Sequence, residues 1–196
     1  MRFVLATQNK KKLKELSAIL SASGVEIVSE EELGLCLEVE ETGETFYDNS
    51  LLKAKAVMEA TGLPAIADDS GLCVDAMNGG PGVYSARFGG EGLNDRDRYM
   101  LLLEMMQGQS DRSAHFHCTI TCAFPNGDII SADGDCSGTI AYAPMGEDGF
   151  GYNPVFFVPE YRKTFAQMTM EERSAISHRG KALHAFKEKL QDYLKQ

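Results

Sequence analysis

Two long strand-like segments flank a tight turn in the second half of this chain. The segments cover residues 113–124 and 128–140, and the turn between them reads Pro125-Asn126-Gly127-Asp128. An Asn-Gly pair between two such segments is typical of a β-hairpin, because these residues accept the left-handed backbone angles of tight turns. A long β-hairpin is therefore predicted as one part of a sheet.

The first half of the chain alternates short strands with helices. Residues 2–6 predict a strand and residues 25–28 a second one, with a helix between them that ends at Gly24. A further helix is predicted from Thr45 to Gly62. The apolar face of that helix is expected to hold Tyr47, Leu51, Ala54 and Met58.

A third short strand, residues 65–67, is expected to end at Asp68-Asp69-Ser70-Gly71. Later segments predict a helix near residues 94–107, a brief strand over 156–158 and a final helix, and Thr169 with Glu172 has the spacing of a capping box. Together these elements predict an α/β fold, with a mixed β-sheet flanked by helices. No repeat or composition break marks a further domain, so residues 1–196 are predicted to form a single domain.

The composition favours a cytoplasmic protein and is compatible with a small phosphorylated ligand. Hydrophobic residues make up 43% of the chain, and the net charge of −10 disfavours non-specific binding to nucleic acid or anionic membranes. No apolar run reaches the length of about 18 residues that a membrane-spanning helix needs. The N-terminal apolar run is too short for a signal peptide, and the five cysteines lack CxxC spacing, so no disulfide framework is expected.

The turn between the first strand and the first helix is a candidate phosphate site. It reads Thr7-Gln8-Asn9-Lys10-Lys11-Lys12. A helix start directs backbone N–H groups and a partial positive charge at an anion, and the lysines add to that field. A solvated helix start is the alternative interpretation. The chain has no G-x-x-x-x-G-K-[ST] motif, which excludes a P-loop.

Acidic residues supply candidates for a general base and a metal site. Asp68 and Asp69 follow a buried strand, where neighbouring side chains point to opposite faces, so one would face a ligand and the other would hold the backbone. A turn capped by carboxylates is the alternative. An acidic loop would add an oxygen ligand for Mg²⁺, unless it is only a solvated segment. Its candidates are Glu38, Glu40, Glu41 and Glu44.

Two further motifs suit a nucleotide ligand, one by stacking on a base and the other by hydrogen bonds to a phosphate or a carbonyl oxygen. Gly149-Phe150-Gly151-Tyr152-Asn153-Pro154 joins glycines to aromatic rings that can stack on a base, and Ser177-His178-Arg179 offers hydrogen-bond donors. A structural loop and an ordinary helix cap are the respective alternatives. His115 and His117 share a strand face, but no spaced Cys or His partner accompanies them, so a zinc site is not predicted.

A series of motifs then gives the chain a close resemblance, over nearly its whole length, to the noncanonical purine nucleoside triphosphate pyrophosphatases. This family is also known as the inosine triphosphate pyrophosphatases or XTP/dITP diphosphatases. The motifs are Ala6-Thr7-Gln8-Asn9 with Lys12, Glu40-Glu41-Thr42-Gly43, Thr45-Phe46 with Asn49, Lys53-Ala54, Ala67-Asp68-Asp69-Ser70-Gly71-Leu72, Pro81-Gly82-Val83-Tyr84-Ser85-Ala86-Arg87, Gly149-Phe150-Gly151-Tyr152 and Ser177-His178-Arg179.

The resemblance implies that ITP, dITP and XTP are hydrolysed to the monophosphate and pyrophosphate, with Mg²⁺ as cofactor. It implies a fold with an elongated mixed sheet, two lobes and a central nucleotide-binding cleft, and it implies assembly as a homodimer. Asp69 would be the general base and, with Glu40, a metal ligand, Glu41 being the alternative to Glu40. The implied substrate-binding residues are Thr7, Gln8, Asn9, Lys10, Lys11, Lys12, Lys53 and Ser70, with Phe150, Gly151, Tyr152, Asn153, Arg173, His178 and Arg179.

Within that set, the resemblance assigns the triphosphate to Thr7, Asn9, Lys12 and Lys53. It assigns base stacking to Phe150, with Tyr152 and Asn153 completing that wall, and the 6-oxo edge of the base to His178 and Arg179. Two positions depart from the family pattern. Asn153 stands where an aspartate is common, and Arg173 where a lysine is common. Asn lacks the charge and Arg differs in reach, so the base preference is less defined than the reaction.

Two other functions fit parts of the pattern. A pyrophosphatase for other nucleotides, such as modified pyrimidine triphosphates, would share the carboxylates and lysines but need a different base pocket. A nucleotide-binding regulator would bind without turnover and would not need a carboxylate that activates water. A panel of nucleotide substrates separates the three.

Overall fold

The computed structural model describes residues 1–21, 24–147 and 150–195, and within these it leaves the side chains of Lys11, Glu15, Ala18 and Ser21 undescribed. The strands are β1 (Arg2–Leu5), β2 (Glu26–Ser29), β3 (Ala65–Val74), β4 (Ser113–Ala123), β5 (Ile129–Ile140), β6 (Phe156–Val158) and β7 (Lys163–Thr164). The helices are α1 (Lys10–Ser21), α2 (Phe46–Thr61), α3 (Asp95–Met105), α4 (Met170–Ile176) and α5 (His178–Leu194).

The seven strands form one mixed sheet in the order β2-β1-β3-β4-β5-β6-β7. Strand β1 runs parallel to both β2 and β3, whereas β6 runs antiparallel to β5 and β7. The predicted mixed sheet with flanking helices is therefore confirmed. The hairpin turn also matches the prediction, since the Gly127 N–H donates to the Phe124 carbonyl over 3.0 Å and Gly127 adopts a φ of 93°.

The chain divides into two compact units. The first comprises Met1–Asp69, Cys118–Gly134 and Lys181–Gln196, and the second comprises Ser70–His117 and Asp135–Gly180.

The first unit buries both faces of its strands. Phe3 and Ile66 belong to a core shared with α1 and α5, whereas Val4 and Ala67 belong to a separate core shared with α2. This division follows from the two-residue period of a strand, which sends alternate side chains to opposite faces. Strands buried on both sides are apolar along their length, as Phe3-Val4-Leu5 is.

The second unit has its own core. Its largest fully buried side chains are Phe156, Phe165, Leu72, Leu102 and Met106. The rings of Phe156 and Phe165 meet edge to face at 4.9 Å between centroids, an arrangement that complements the charge distribution of aromatic rings.

Helix boundaries follow the predicted capping signals. Thr45 and Asp48 form a complete capping box at the start of α2, and Gly62 ends that helix with a φ of 68°. Thr169 and Glu172 form the predicted capping box at the start of α4.

Two expectations about the elements were wrong. Strand β3 does not end at Asp68 but continues to Val74, so both aspartates lie inside a strand. The buried face of α2 consists of Asn49, Ser50, Ala54 and Val57, while Tyr47 is exposed. The helical spacing of apolar residues did not predict that two polar side chains of this helix, Asn49 and Ser50, are buried.

No helix in residues 1–21, 24–147 and 150–195 is both long enough and apolar enough to span a membrane.

Candidate active site

The two aspartates of β3 belong to opposite faces of the strand. Asp68 continues the face of Ile66, which packs in the core with α1, and Asp69 continues the face of Ala67, which packs in the core with α2. Both are buried, with exposures of 2% and 7%. A buried carboxylate is costly unless a cation or strong donors compensate its charge, so each aspartate requires a partner from its own face.

Helix α1 supplies the partner of Asp68. The Lys12 Nζ lies 2.8 Å from the Asp68 Oδ2. Lys12 is in the first turn of α1, where a cation opposes the helix dipole, and the Asp68 carboxylate offsets that unfavourable placement. Lys12 itself is largely buried, with 18% of its side chain exposed.

Helix α2 supplies two partners for Asp69. The Asn49 Nδ2 donates to the Asp69 Oδ2 over 3.3 Å, and the Lys53 Nζ lies 3.5 Å from the Asp69 Oδ1. Residues four apart on a helix are neighbours on its surface, so Asn49 and Lys53 present a donor and a cation to one carboxylate. The two oxygens of Asp69 therefore have different partners.

Lys53 also contacts a second carboxylate. Its Nζ lies 2.6 Å from the Glu41 Oε1, so one ammonium group serves both Glu41 and Asp69. Burial raises the pKa of Asp69; Lys53 opposes that shift and Glu41 adds to it. Burial lowers the pKa of Lys53, but the surrounding carboxylates outweigh this and leave it raised. Lys53 is thus held as a cation between two anions.

The same network bears on the choice between Glu40 and Glu41. Glu40 is exposed, whereas Glu41 is half-buried and joined to Asp69 through Lys53. In the part of the chain that the structure describes, no group of three or more His, Cys, Asp or Glu side chains is arranged to hold a metal ion. A divalent cation that binds through one or two carboxylates and completes its shell with water and phosphate oxygens, as Mg²⁺ does, fits the pair Glu41 and Asp69.

Three polar side chains of the β1–α1 turn, Thr7, Gln8 and Asn9, form hydrogen bonds with the backbone of the chain. The Asn9 Oδ1 accepts the Lys12 N–H over 3.3 Å and so caps α1, and the Thr7 Oγ1 accepts the Asn9 N–H over 3.3 Å. The Gln8 Nε2 donates to the Leu37 carbonyl over 3.1 Å. Lys10 is exposed at the first position of α1. The side chain of Lys11 lies outside what the structure describes.

In the second unit, the first turn of α5 carries His178 and Arg179. The Arg179 Nη2 donates to the Ser70 Oγ over 3.3 Å, and Arg179 is only 8% exposed. The His178 ring stacks on Phe116, with 4.8 Å between ring centroids and 14° between planes. These contacts orient two donor side chains to which the family resemblance gives the role of binding the base.

The described part of the Gly-aromatic loop divides into an exposed ring and a buried one. Phe150 is 44% exposed, whereas Tyr152 is buried and its hydroxyl donates to the Ser85 carbonyl over 2.8 Å. Burial raises the pKa of the Tyr152 phenol. Asn153 is also buried. The exposed Phe150 therefore suits stacking, and Tyr152 anchors the loop.

An aspartate of α3 also holds this loop. The Asp95 Oδ2 accepts the Gly151 N–H over 2.8 Å. Gly149 lies outside the described residues. Arg173 lies in α4, where its Nη1 donates to the Phe165 carbonyl over 3.2 Å.

Sequence reasoning missed the contacts of Asn49 and Asp95. Asn49 was noted only as part of a motif, although its position four residues before Lys53 places both on one side of α2. Asp95 directly follows the N-cap Asn94, and a first-turn acidic residue is common enough in helices that nothing singled it out.

Comparison with known proteins gives consistent matches over the whole fold. The model of the Ham1 family matches residues 3–189. The dITP/XTP pyrophosphatase of Desulforamulus reducens is 52% identical over 185 residues, which cover 93% of this chain and 92% of that protein. The dITP/XTP pyrophosphatase of Desulfotalea psychrophila is 48% identical over 184 residues, covering 94% and 82%.

A solved structure agrees with these sequence matches. The HAM1 protein from Coxiella burnetii superposes with a TM-score of 0.93 at 40% identity, covering 98% of this chain and 99% of that chain. The family match spans the residues that carry both aspartates, their lysine partners and the donors of α5. This chain belongs to the Ham1 family.

Proposed function

We propose that this chain is a nucleoside triphosphate pyrophosphatase that hydrolyses ITP, dITP and XTP to the nucleoside monophosphate and pyrophosphate. The observation that carries the proposal is the buried Asp69 carboxylate, held by Lys53 and Asn49 beside Glu41. A buried carboxylate of raised pKa beside cations suits proton abstraction and phosphate chemistry. Relatives that share 48–52% of their residues carry the name dITP/XTP pyrophosphatase.

In the proposed reaction, water attacks the α-phosphorus and pyrophosphate leaves. Asp69 accepts the proton of the attacking water, and the fixed orientation of its carboxylate directs one oxygen towards that water. Phosphoryl-type transfers depend on positioning and charge neutralisation more than on covalent chemistry by the protein. Lys12 and Lys53 would provide that neutralisation, since both are cations of the first unit held at the two aspartates.

Mg²⁺ is the proposed cofactor, with Asp69 and Glu41 as its protein ligands. Glu41 is preferred to Glu40 because only Glu41 shares the Lys53 contact with Asp69. When bound, the ion would polarise phosphate oxygens and make the attacking water more acidic. The Lys53 ammonium supports the choice, because it lies 2.6 Å from Glu41 and 3.5 Å from Asp69 and so marks a position that favours a cation.

Base selection is assigned to residues of the second unit. Phe150 would stack on the purine, and Arg179 and His178 would donate to the 6-oxo group of hypoxanthine or xanthine. Adenine presents an amino donor at that position, so ATP would leave a donor facing a donor. An unpaired buried polar group costs about 1–3 kcal/mol, which corresponds to discrimination of about tenfold or more. Asn153 and Arg173 would contribute to the same preference.

A cytoplasmic location and a homodimeric assembly are proposed with the function. The dimer is carried by the resemblance to the family, and the location by the composition of the chain. Sedimentation of the purified chain would test the dimer, and fractionation of cells would test the location.

The deciding experiment measures pyrophosphate release from ITP, XTP, GTP, ATP and dTTP, with and without Mg²⁺. Fast turnover of ITP and XTP that requires Mg²⁺, with slow turnover of GTP and ATP, is the expected result. Preference for dTTP would move the substrate assignment to pyrimidines. Binding of ITP without turnover of any of the five nucleotides would contradict the enzymatic proposal.

A further inference from the structure

Asn49 is a fully buried polar side chain whose carboxamide is engaged at both ends. Its Oδ1 accepts the Gly43 N–H over 2.8 Å, and its Nδ2 donates to the Asp69 Oδ2 over 3.3 Å. A backbone N–H can only donate, so the carboxamide oxygen must face Gly43 and the NH₂ group must face Asp69. The orientation of the side chain is therefore fixed by chemistry as well as by space.

The chain at Gly43 packs closely against Asn49 and the start of α2. A Cβ atom built on Gly43 would lie 2.5 Å from the Asp48 Cβ and 2.7 Å from the Asn49 Oδ1. The backbone at Gly43 is thus pressed onto the first turn of α2. Glu41 lies two residues earlier in the same segment, so Asn49 tethers to α2 the segment that carries this carboxylate.

Asp69 is fixed in rotation by two donors on different oxygens. Asn49 holds the Oδ2, and Lys53 lies near the Oδ1. Lys53 and Asn49 differ in how they would respond to a bound substrate. A bound triphosphate would attract the Lys53 ammonium, whereas the neutral Asn49 amide, which has 0% exposure, would stay with Asp69. Asn49 is the partner that can keep the carboxylate aimed while Lys53 serves the phosphate.

Helix α2 is also anchored at the adjacent residue. The Ser50 hydroxyl, likewise 0% exposed, lies 2.6 Å from the Thr121 Oγ1 in β4. The Ser50 hydroxyl contacts Tyr47 and Thr121 and is not the group that meets Asp69 or Gly43, so Ser50 provides a matched reference for Asn49.

We propose that Asn49 is a positioning residue for the reaction. Its amide orients the Asp69 carboxylate for proton transfer, and its carbonyl holds the segment that carries Glu41 in register with Asp69. This inference rests on the proposed pyrophosphatase function and adds to it a residue that acts through Asp69 and does not bind the nucleotide.

The kinetic test compares Asn49→Ala, Asn49→Asp and Ser50→Ala in ITP hydrolysis at saturating Mg²⁺. Misplacing a reacting group by about 1 Å costs about 100-fold in rate, so both Asn49 variants are expected to lose about 100-fold in kcat. Their KM for ITP is expected to stay within about threefold, because the triphosphate lysines remain. Ser50→Ala removes a buried hydrogen bond of the same helix and is expected to keep kcat within about twofold.

Asn49→Asp preserves side-chain volume and the acceptor for Gly43, so it decides the question if Asn49→Ala does not fold. A kcat for the Asn49 variants equal to that of Ser50→Ala would overturn the proposal. A rise in KM with unchanged kcat would also overturn it, since that pattern marks a residue used only in binding.

A stability measurement distinguishes this inference from the proposed function. Asn49→Asp places two carboxyl groups together and is expected to lower Tm by about 4–8 °C. The exchange variant Asn49→Asp with Asp69→Asn restores a donor and an acceptor and is expected to recover most of that loss while remaining inactive. A change in the free energy of unfolding of the exchange variant equal to the sum of the changes in Asn49→Asp and Asp69→Asn would refute the contact. If the wild type hydrolyses no nucleotide, the proposed function fails, and a recovered Tm would leave Asn49 as a structural residue only.

Discussion

Replacing Lys53 with methionine removes an ammonium group that the buried Asp69 and the half-buried Glu41 share. The Lys53 Nζ lies 2.6 Å from Glu41 and 3.5 Å from Asp69, and only 18% of its side chain is exposed. Methionine keeps most of the aliphatic volume but not the charge. Asp69 and Glu41 would then face each other without their common cation.

The size of the effect follows from these distances. At an effective dielectric constant of about 20, unit charges at 2.6 Å and 3.5 Å attract by about 6 and about 5 kcal/mol. The cost of burying the charges offsets much of that attraction. Breaking a buried ion pair by removing one partner costs about 3–5 kcal/mol. For a chain of this length, such a loss lowers Tm by at least about 6 °C.

The assay is thermal and urea unfolding of Lys53→Met at pH 7 in metal-free buffer. Lys55→Met is the matched control, because Lys55 lies on the exposed side of the same helix. The control is expected to change the free energy of unfolding by no more than about 0.5 kcal/mol. Added Mg²⁺ is expected to stabilise Lys53→Met more than the wild type, since the variant has unneutralised carboxylates to offer.

Equal stabilities of Lys53→Met and Lys55→Met would refute the reasoning. They would mean that the carboxylates are solvated or protonated in the folded chain and do not depend on Lys53. A destabilised Lys53→Met that Mg²⁺ fails to stabilise would retain the ion-pair network but contradict the assignment of Glu41 and Asp69 to the metal.

Three further outcomes are expected. Burial keeps the pKa of Asp69 in the folded, metal-free chain above its ordinary value of 3.8. The free energy of unfolding therefore falls as pH rises from this ordinary pKa to the raised pKa of the folded chain. Asp69→Asn should therefore be more stable than the wild type at pH 7, by a margin that shrinks towards pH 3.8 in urea titrations, and should show no turnover. Glu41→Gln should raise the Mg²⁺ concentration for half-maximal activity by at least about tenfold, and Glu40→Gln by less than about twofold; the reverse order would restore Glu40 as the ligand. Asp95→Ala should lower the preference for ITP over ATP by about threefold to tenfold because the Gly151 N–H loses its acceptor, whereas Asp95→Asn should retain most of it in competition assays.

The sequence supported prediction of the sheet, because local signals there agree with the tertiary structure. The Asn126-Gly127 turn and the capping residues of α2 and α4 each specify a backbone conformation within a few residues. The predicted end of strand β3 came too early because aspartate and glycine are unfavourable in strands. Its continuation depends on cations that approach from distant helices, and no local pattern reports them.

The candidate site was predicted in part for the same reason. The period of a strand correctly places Asp68 and Asp69 on opposite faces, but it does not say which helix covers each face. The burial of Asn49 and Ser50 in α2 likewise depends on contacts with distant residues that the local sequence does not reveal. Both are polar residues beside the apolar positions of a helix, and only the groups they meet, Asp69 and Thr121, explain their burial.

The pairing of Lys12 with Asp68, and of Lys53 with Asp69 and Glu41, has a consequence for how two ligands would bind. A triphosphate that recruits these ammonium groups releases the carboxylates, which then attract a divalent cation more strongly. Within the proposed function, nucleotide and metal are therefore linked ligands: whatever factor the nucleotide adds to the metal's affinity, the metal adds to the nucleotide's. The free protein, with its charges already compensated, would hold either one alone only weakly.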